Sequence, residues 1–132
     1  MNWAPYSGFT VLAAVRTVDG AFFGGSNVEN ANFSLSKHAE EAAILQALAS
    51  GALVRHGGRK DRRCIDALYT TTTPCGSCRQ FLWEFATEDC VIYVEAGDSA
   101  DPLMQPLTRL FPSAFGPEQL GIDDAGHRRA GP

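Results

Sequence analysis

Apolar and polar residues change their spacing several times along this chain, and each change marks an element. Phe9 to Val18 is rich in Val, Phe, Thr and Leu, and a second run, Ala21 to Ser26, follows Asp19-Gly20. Two such runs about a turn dipeptide predict a β-hairpin. Asn27 to Ser36 is small and polar with apolar interruptions, the profile of a loop that carries side chains toward something. Ala39, Ala42, Ala43, Ile44, Ala47 and Leu48 then cover much of a helical circumference. They predict a buried helix from about Lys37 to Ser50, with Ser36 as N-cap, Glu40 and Glu41 near its positive end and Gly51 beyond its close.

Val54 to Arg63 is basic and glycine-containing and reads as a solvated loop. Cys64 to Thr72 is β-rich. Thr73 as N-cap with Pro74 at the first helical position predicts a second helix over Cys75 to Thr87. Cys90 to Glu95 is a short strand, and Pro102, Pro106, Pro112 and Pro117 break the remainder into helical turns. Residues 1–120 are expected to form one domain and residues 121–132 a flexible C-terminal tail. The order strand, strand, helix, strand, helix, strand implies an α/β domain around a mixed sheet with at least one parallel crossover.

Composition narrows the function classes. The chain has 132 residues, 45% hydrophobic and 20% charged, which suits a single globular domain. No apolar stretch approaches the ~18 to 20 residues of a membrane-spanning helix, and the first residues do not read as a secretory signal. A cytoplasmic protein with no membrane partner is expected. A net charge of -4 opposes broad attraction to phosphate backbones, so the expected partner is a small molecule and not a nucleic acid, despite a local basic run at Arg59, Lys60, Arg62 and Arg63. Four cysteines without an export signal favour thiol or metal chemistry over disulfides. Cys64 and Cys90, in apolar strand-like runs, are expected to be buried thiols. Trp83, among Phe81, Leu82 and Phe85, is expected to pack.

The chemistry concentrates in His38-Ala39-Glu40 and Pro74-Cys75-Gly76-Ser77-Cys78, each at a helix start. Cysteines three apart on a helix share a face and can reach one ion, and helix N-termini favour their thiolates. One imidazole, two thiolates and an open fourth position describe a catalytic zinc site. Zinc brings its water to a pKa of roughly 7, and a carboxylate such as Glu40 is then needed to move protons. Alone, C-x-x-C also fits a redox pair or half of a structural zinc site, and H-x-E fits a simple cap. On a regular helix, residues two apart point about 200° away from each other, so Glu40 would reach the metal-bound water only indirectly.

H-x-E followed by P-C-x-x-C is the zinc deaminase pattern, and the resemblance extends further. Tyr6-Ser7-Gly8-Phe9, Asn27-Val28-Glu29-Asn30-Ala31, Pro74 to Gln80 and Ala114-Phe115-Gly116-Pro117 all look like the cytidine deaminase family, in order, over about residues 4 to 120. The resemblance implies a three-layer α/β/α fold with a central mixed sheet of about five strands. It implies one Zn²⁺ per chain on His38, Cys75 and Cys78, with Glu40 catalytic. Phe9, Asn27, Glu29, Ala39 and Thr73 would bind the nucleoside, Asn27 and Glu29 at the ribose. Ala39 N–H would meet the pyrimidine O2, and Thr73 C=O the exocyclic amine.

The implied reaction is attack of zinc-bound hydroxide at C4 of cytidine or 2'-deoxycytidine, giving the uridine product and ammonia. A homotetramer, or else a homodimer, is implied too, with Phe111 or Phe115 as a C-terminal aromatic contribution. His38 and Glu41 stand where the short branch of the family has a cysteine and an arginine. Two thiolates, a neutral histidine and Zn²⁺ sum to zero, so the arginine is no longer required. Leu12 replaces a common glycine, Phe33 a common tyrosine, and the family's N-terminal helix is almost absent. These departures raise the alternatives of a modified or antibiotic nucleoside such as blasticidin S as substrate, or of a noncatalytic zinc-containing nucleoside-binding protein.

Overall fold

The first apolar alternation folds into the expected hairpin in a computed structural model that describes residues 2–54, 58–98 and 101–131. β1 (Leu12–Thr17) and β2 (Phe22–Ser26) pair antiparallel, Leu12 opposite Ser26 and Arg16 opposite Phe22. The Thr17 amide closes the turn on the Ala21 carbonyl at 2.8 Å. α1 (Ala39–Ala49), β3 (Ile65–Thr70), α2 (Gly76–Phe85), β4 (Ala86–Val94), β5 (Leu103–Pro106) and α3 (Leu107–Leu110) follow, with 3₁₀ turns at Phe33–Leu35 and Pro117–Leu120. The five strands lie in the order β2-β1-β3-β4-β5. β3 and β4, joined through α2, are parallel, and the other neighbours are antiparallel. The α/β class and the mixed five-stranded sheet are those expected.

Period-two alternation decides what each sheet face carries. Val15, Leu68 and Ile92 point to one face and share a buried cluster with Ala43, Ile44 and Ala47 of α1, Leu82 of α2 and Leu107 of α3. The helices described here therefore pack on that face. The other face presents exposed Leu12, Phe22 and Met104 beside Tyr69 and Tyr93, whose rings stack at 4.7 Å. α1 presses so close to β2 that a Cβ at Gly25 would stand 2.6 Å from the Ala39 carbonyl oxygen and 2.9 Å from Ala42 Cβ. Only glycine fits there, and the contact holds the start of α1 against the sheet.

Several local expectations are corrected. α1 is capped by His38, not Ser36, because Lys37 is drawn into a bridge with Val28 through 2.8 and 2.9 Å bonds and so cannot enter the helix. The Ser36 hydroxyl instead accepts the Asn30 N–H at 3.0 Å. α2 is capped by Cys75, in extended conformation, and not by Thr73, so Pro74 lies outside the helix. The helix ends at Phe85, and β4 begins directly at Ala86. β5 replaces part of the expected broken helical region. Its terminal Pro106 faces Val91 at the sheet edge, where a missing N–H is tolerated.

The basic stretch is also less solvated than expected. Arg59 and Lys60 are exposed, but Arg62 is only 7% exposed. Its guanidinium donates to Glu84 O at 2.8 Å, pairs with Glu118, and lies 3.0 Å from Asp124 Oδ1. Arg55, His56 and Gly57 of that stretch lie outside the described residues. The segment after Gly121 meets the domain through a 2.8 Å bond from Arg62 N to Asp124 O. It turns on Asp123, whose Oδ1 accepts the Ala125 and His127 amides at 3.0 and 2.8 Å; those bonds hold the Asp123 carboxyl below its usual range.

Candidate metal centre and substrate cavity

The two helix starts that carry the sequence motifs meet at one place. One possible ligand atom each from His38, Cys75 and Cys78 lies within 4.8 Å of the others. His38 Nδ1 is 3.2 Å from Cys78 Sγ and 3.4 Å from Cys75 Sγ. A tetrahedral zinc with ordinary bond lengths would space a nitrogen and a sulfur ligand about 3.6 Å apart. The donor set therefore fits zinc in both chemistry and spacing. Burial first, then the Glu40 carboxylate and Cys75, push the Cys78 thiol well above its ordinary value. A thiolate at that position needs a cation beside it, which a divalent metal supplies.

The corrected caps change how Glu40 relates to the metal ligands. His38 precedes the helix with extended dihedrals, and Glu40 is the second helical residue. The 200° separation of a regular helix does not apply across that boundary. Glu40 is 3% exposed, and its Oε2 lies 3.7 Å from Cys78 Sγ, which is placed to donate. Glu41 on the same turn accepts the His38 N–H at 3.3 Å and so fixes the backbone of a ligand residue.

A cavity of about 390 Å³ opens beside this cluster. Its walls include His38, Glu40 and Cys75 together with Phe9, Asn27, Glu29, Ala39 and Thr73. The expected substrate-contacting residues are thus brought together on one surface. Asn27 and Glu29 also brace the segment that carries Phe9. The Asn27 side chain accepts Val11 N–H at 2.9 Å and donates to Phe9 O at 2.7 Å. Glu29 Oε1 accepts the Tyr6 and Ser7 amides at 2.9 and 3.1 Å. The Ser7 hydroxyl first, and these amides with it, hold the Glu29 carboxyl below the usual range. Ala39 is the first helical residue, so its N–H has no partner within the helix.

Sequence reasoning missed Ser7, Lys37 and Thr72, which also line the cavity. Ser7 lay inside a recognised stretch, but only the bond network shows that it organises Glu29. Leu12 lines a different hollow, with Tyr69 and Tyr93, and is not part of this cavity wall. Phe33 is 71% exposed and meets Tyr6 edge-on at 5.5 Å between ring centres. Phe111 packs on Trp83 at 6.0 Å, whereas Phe115 is exposed. Cys64 and Cys90 are buried as expected, and burial pushes the Cys90 thiol up to about 12.

Known proteins resemble the chain over most of its length. The family model for the cytidine and deoxycytidylate deaminase zinc-binding region matches residues 1–94. A cytidine deaminase of Halalkalibacterium halodurans is 32% identical over 122 residues, covering 89% of this chain and 86% of the relative. Among solved structures, the cytidine deaminase from Burkholderia pseudomallei superposes with a TM-score of 0.71 at 33% identity, over 86% of this chain and 87% of that one. The Mycobacterium tuberculosis cytidine deaminase gives 0.66 at 32% identity, over 87% and 85%.

Proposed function

Because this chain belongs to the cytidine deaminase family of zinc-binding hydrolases that act on carbon–nitrogen bonds, we propose that it deaminates cytidine and 2'-deoxycytidine to the corresponding uridines. The observation that carries the reading is the meeting of His38, Cys75, Cys78 and buried Glu40 beside a cavity lined by Phe9, Asn27, Glu29, Ala39 and Thr73. His38, Cys75 and Cys78 would hold one zinc. When bound, zinc supplies an acidified water as nucleophile at neutral pH.

The chain's own groups do the rest. Glu40 would take one proton from that water and deliver it to N3, and would then carry the second, from the hydroxyl added at C4, to the amine, so that the C4 carbonyl forms as the C4–N bond breaks and ammonia leaves. Its burial keeps the carboxylate out of bulk water and near the reacting atoms. Ala39 N–H holds the pyrimidine O2, and the Thr73 carbonyl accepts from the amine. Phe9 packs against the nucleoside, and Asn27 and Glu29 bind the ribose hydroxyl, since a carboxylate and an amide are matched partners for a sugar O–H.

We assign the protein to pyrimidine salvage in the cytoplasm, acting as a homotetramer. Among the described residues, no helix is long and apolar enough to cross a membrane. The assembly is supported by the family resemblance and by exposed Trp3, Tyr6, Phe9, Phe33 and Phe115.

Steady-state ammonia release on a panel of aminated nucleosides tests the substrate. Turnover of cytidine and deoxycytidine is expected. Activity confined to a modified nucleoside such as blasticidin S would replace this substrate assignment. Tight nucleoside binding without turnover would make the chain a binding protein.

A further inference from the structure

Two side chains directly after the second cysteine have work that the metal chemistry does not use. Arg79 is half-buried on the first turn of α2, and its guanidinium bridges two main-chain carbonyls from distant parts of the chain. Nε donates to Pro74 O at 3.0 Å and Nη1 to Leu110 O at 2.9 Å. Pro74 immediately precedes ligand Cys75, outside the helical ladder. Leu110 ends α3, where the last carbonyls of a helix have no partner within it. Each acceptor would otherwise depend on water, and one planar cation satisfies both.

The next residue repeats the connection. Gln80 Nε2 donates to Phe115 O at 2.9 Å. The adjoining Gly116 lies so close to α2 that an added Cβ would meet Trp83 Nε1 at 2.6 Å. The turn carrying both cysteines is therefore fastened to residues 110–116 through consecutive side chains and a close packing contact.

We propose that Arg79 is a positioning residue that couples the metal-ligand turn to this C-terminal segment, so that zinc binding and the ordering of residues 110–116 strengthen one another. The inference rests on His38, Cys75 and Cys78 holding zinc. Ordering Pro74 fixes the backbone that leads into Cys75, and the same guanidinium then fixes the end of α3. Coupling of this kind is reciprocal: whatever zinc does for the segment, the segment does for zinc.

Two measurements on the whole 132-residue chain test it. Competition against a chromogenic chelator gives the zinc affinity. R79Q is expected to bind zinc about tenfold more weakly, the usual scale for outer partners of a metal site. R79K is expected to share the loss, because one ammonium cannot reproduce the two-carbonyl bridge. R62K disturbs the same C-terminal region from a remote point and is expected to keep zinc affinity within about twofold. Wild-type affinity in R79Q or R79K, or an equal loss in R62K, overturns the coupling.

The second measurement needs no variant. Amide exchange of the unmutated chain, with zinc removed and restored, is expected to slow at residues 110–116 more than in β1. Equal slowing in both, or none at 110–116, overturns the proposal. Failure of the unmutated chain to bind zinc at all would instead defeat the metal assignment on which the proposal stands.

Discussion

At the scale of single residues, Glu40 and Glu29 are two carboxylates put to opposite uses by their surroundings. Glu40 is buried beside the candidate ligands, with its Oε2 3.7 Å from the Cys78 sulfur. Replacing it with Gln keeps the side-chain shape and removes proton transfer. E40Q is expected to retain zinc but lose ~10³-fold or more in turnover, the upper range for general acid–base catalysis. Zinc analysis beside single-turnover kinetics checks it, and an unchanged rate removes Glu40 from the mechanism. Glu29 is half-buried, and its carboxyl is lowered by the Ser7 hydroxyl and the Ser7 and Tyr6 amides. A depressed folded value means that its contribution to stability is complete above the unfolded carboxyl pKa of ~4.3 and is lost as pH falls through the folded value. Carboxyl titration by NMR should place Glu29 below ordinary glutamates and return it upward in S7A. An unmoved midpoint in S7A would mean that the two amides alone set it. The candidate ligand roles of His38, Cys75 and Cys78 were legible because metal chemistry restricts residue type and spacing together. That of Ser7 was not, since a hydroxyl near a turn has many ordinary uses.

At the scale of elements, the sequence marked which segments are helices and strands more faithfully than where they begin. Ser36 and Thr73 both look like N-caps, yet His38 and Cys75 occupy those positions. Local propensity favours a hydroxyl, but backbone pairing between Val28 and Lys37 holds the chain extended up to His38, which no local rule foresees. The same shift places a candidate ligand outside each helix and the following functional residue inside it. β5 was hidden because it has only four residues, preceded by Pro102 and ending on Pro106, and it is held only by pairing with β4 at the sheet edge. Gly25 shows how an element is positioned once formed. G25A forces a methyl against the α1 backbone, including Ala43 N and the Ala39 carbonyl, which cannot swing aside as a side chain would. The expected cost is about 3 kcal/mol, at the upper end of ordinary overpacking. Urea unfolding measures it. A loss under ~0.5 kcal/mol would mean that α1 slides freely on β2.

At the scale of the whole molecule, one group of exposed apolar side chains gathers around the N-terminal segment that carries cavity residue Phe9. Trp3, Tyr6, Phe9, Phe33 and Leu35 are all exposed, and Trp3 and Tyr6 belong to the segment braced by Asn27 and Glu29. Isolated exposed hydrophobics need no explanation, but neighbours such as Tyr6 and Phe33, in edge contact at 5.5 Å, form surface that association can cover. The assembly proposed above would give that surface a partner and would put the Phe33 ring at a junction between chains. Sedimentation velocity of the purified protein should then give a mass near four chains. F33D places a charge in the junction, and burying an unpaired carboxylate there is costly enough to favour separated chains. If sites are shared, that variant should lose assembly and turnover together while its folded signal in circular dichroism persists, because Phe33 is 71% exposed and contributes little to the internal core. A dimer that is fully active would correct the stoichiometry. A monomeric wild-type chain with full activity would mean that the cavity is complete within one chain, leaving Tyr6 and Phe33 to serve the substrate itself.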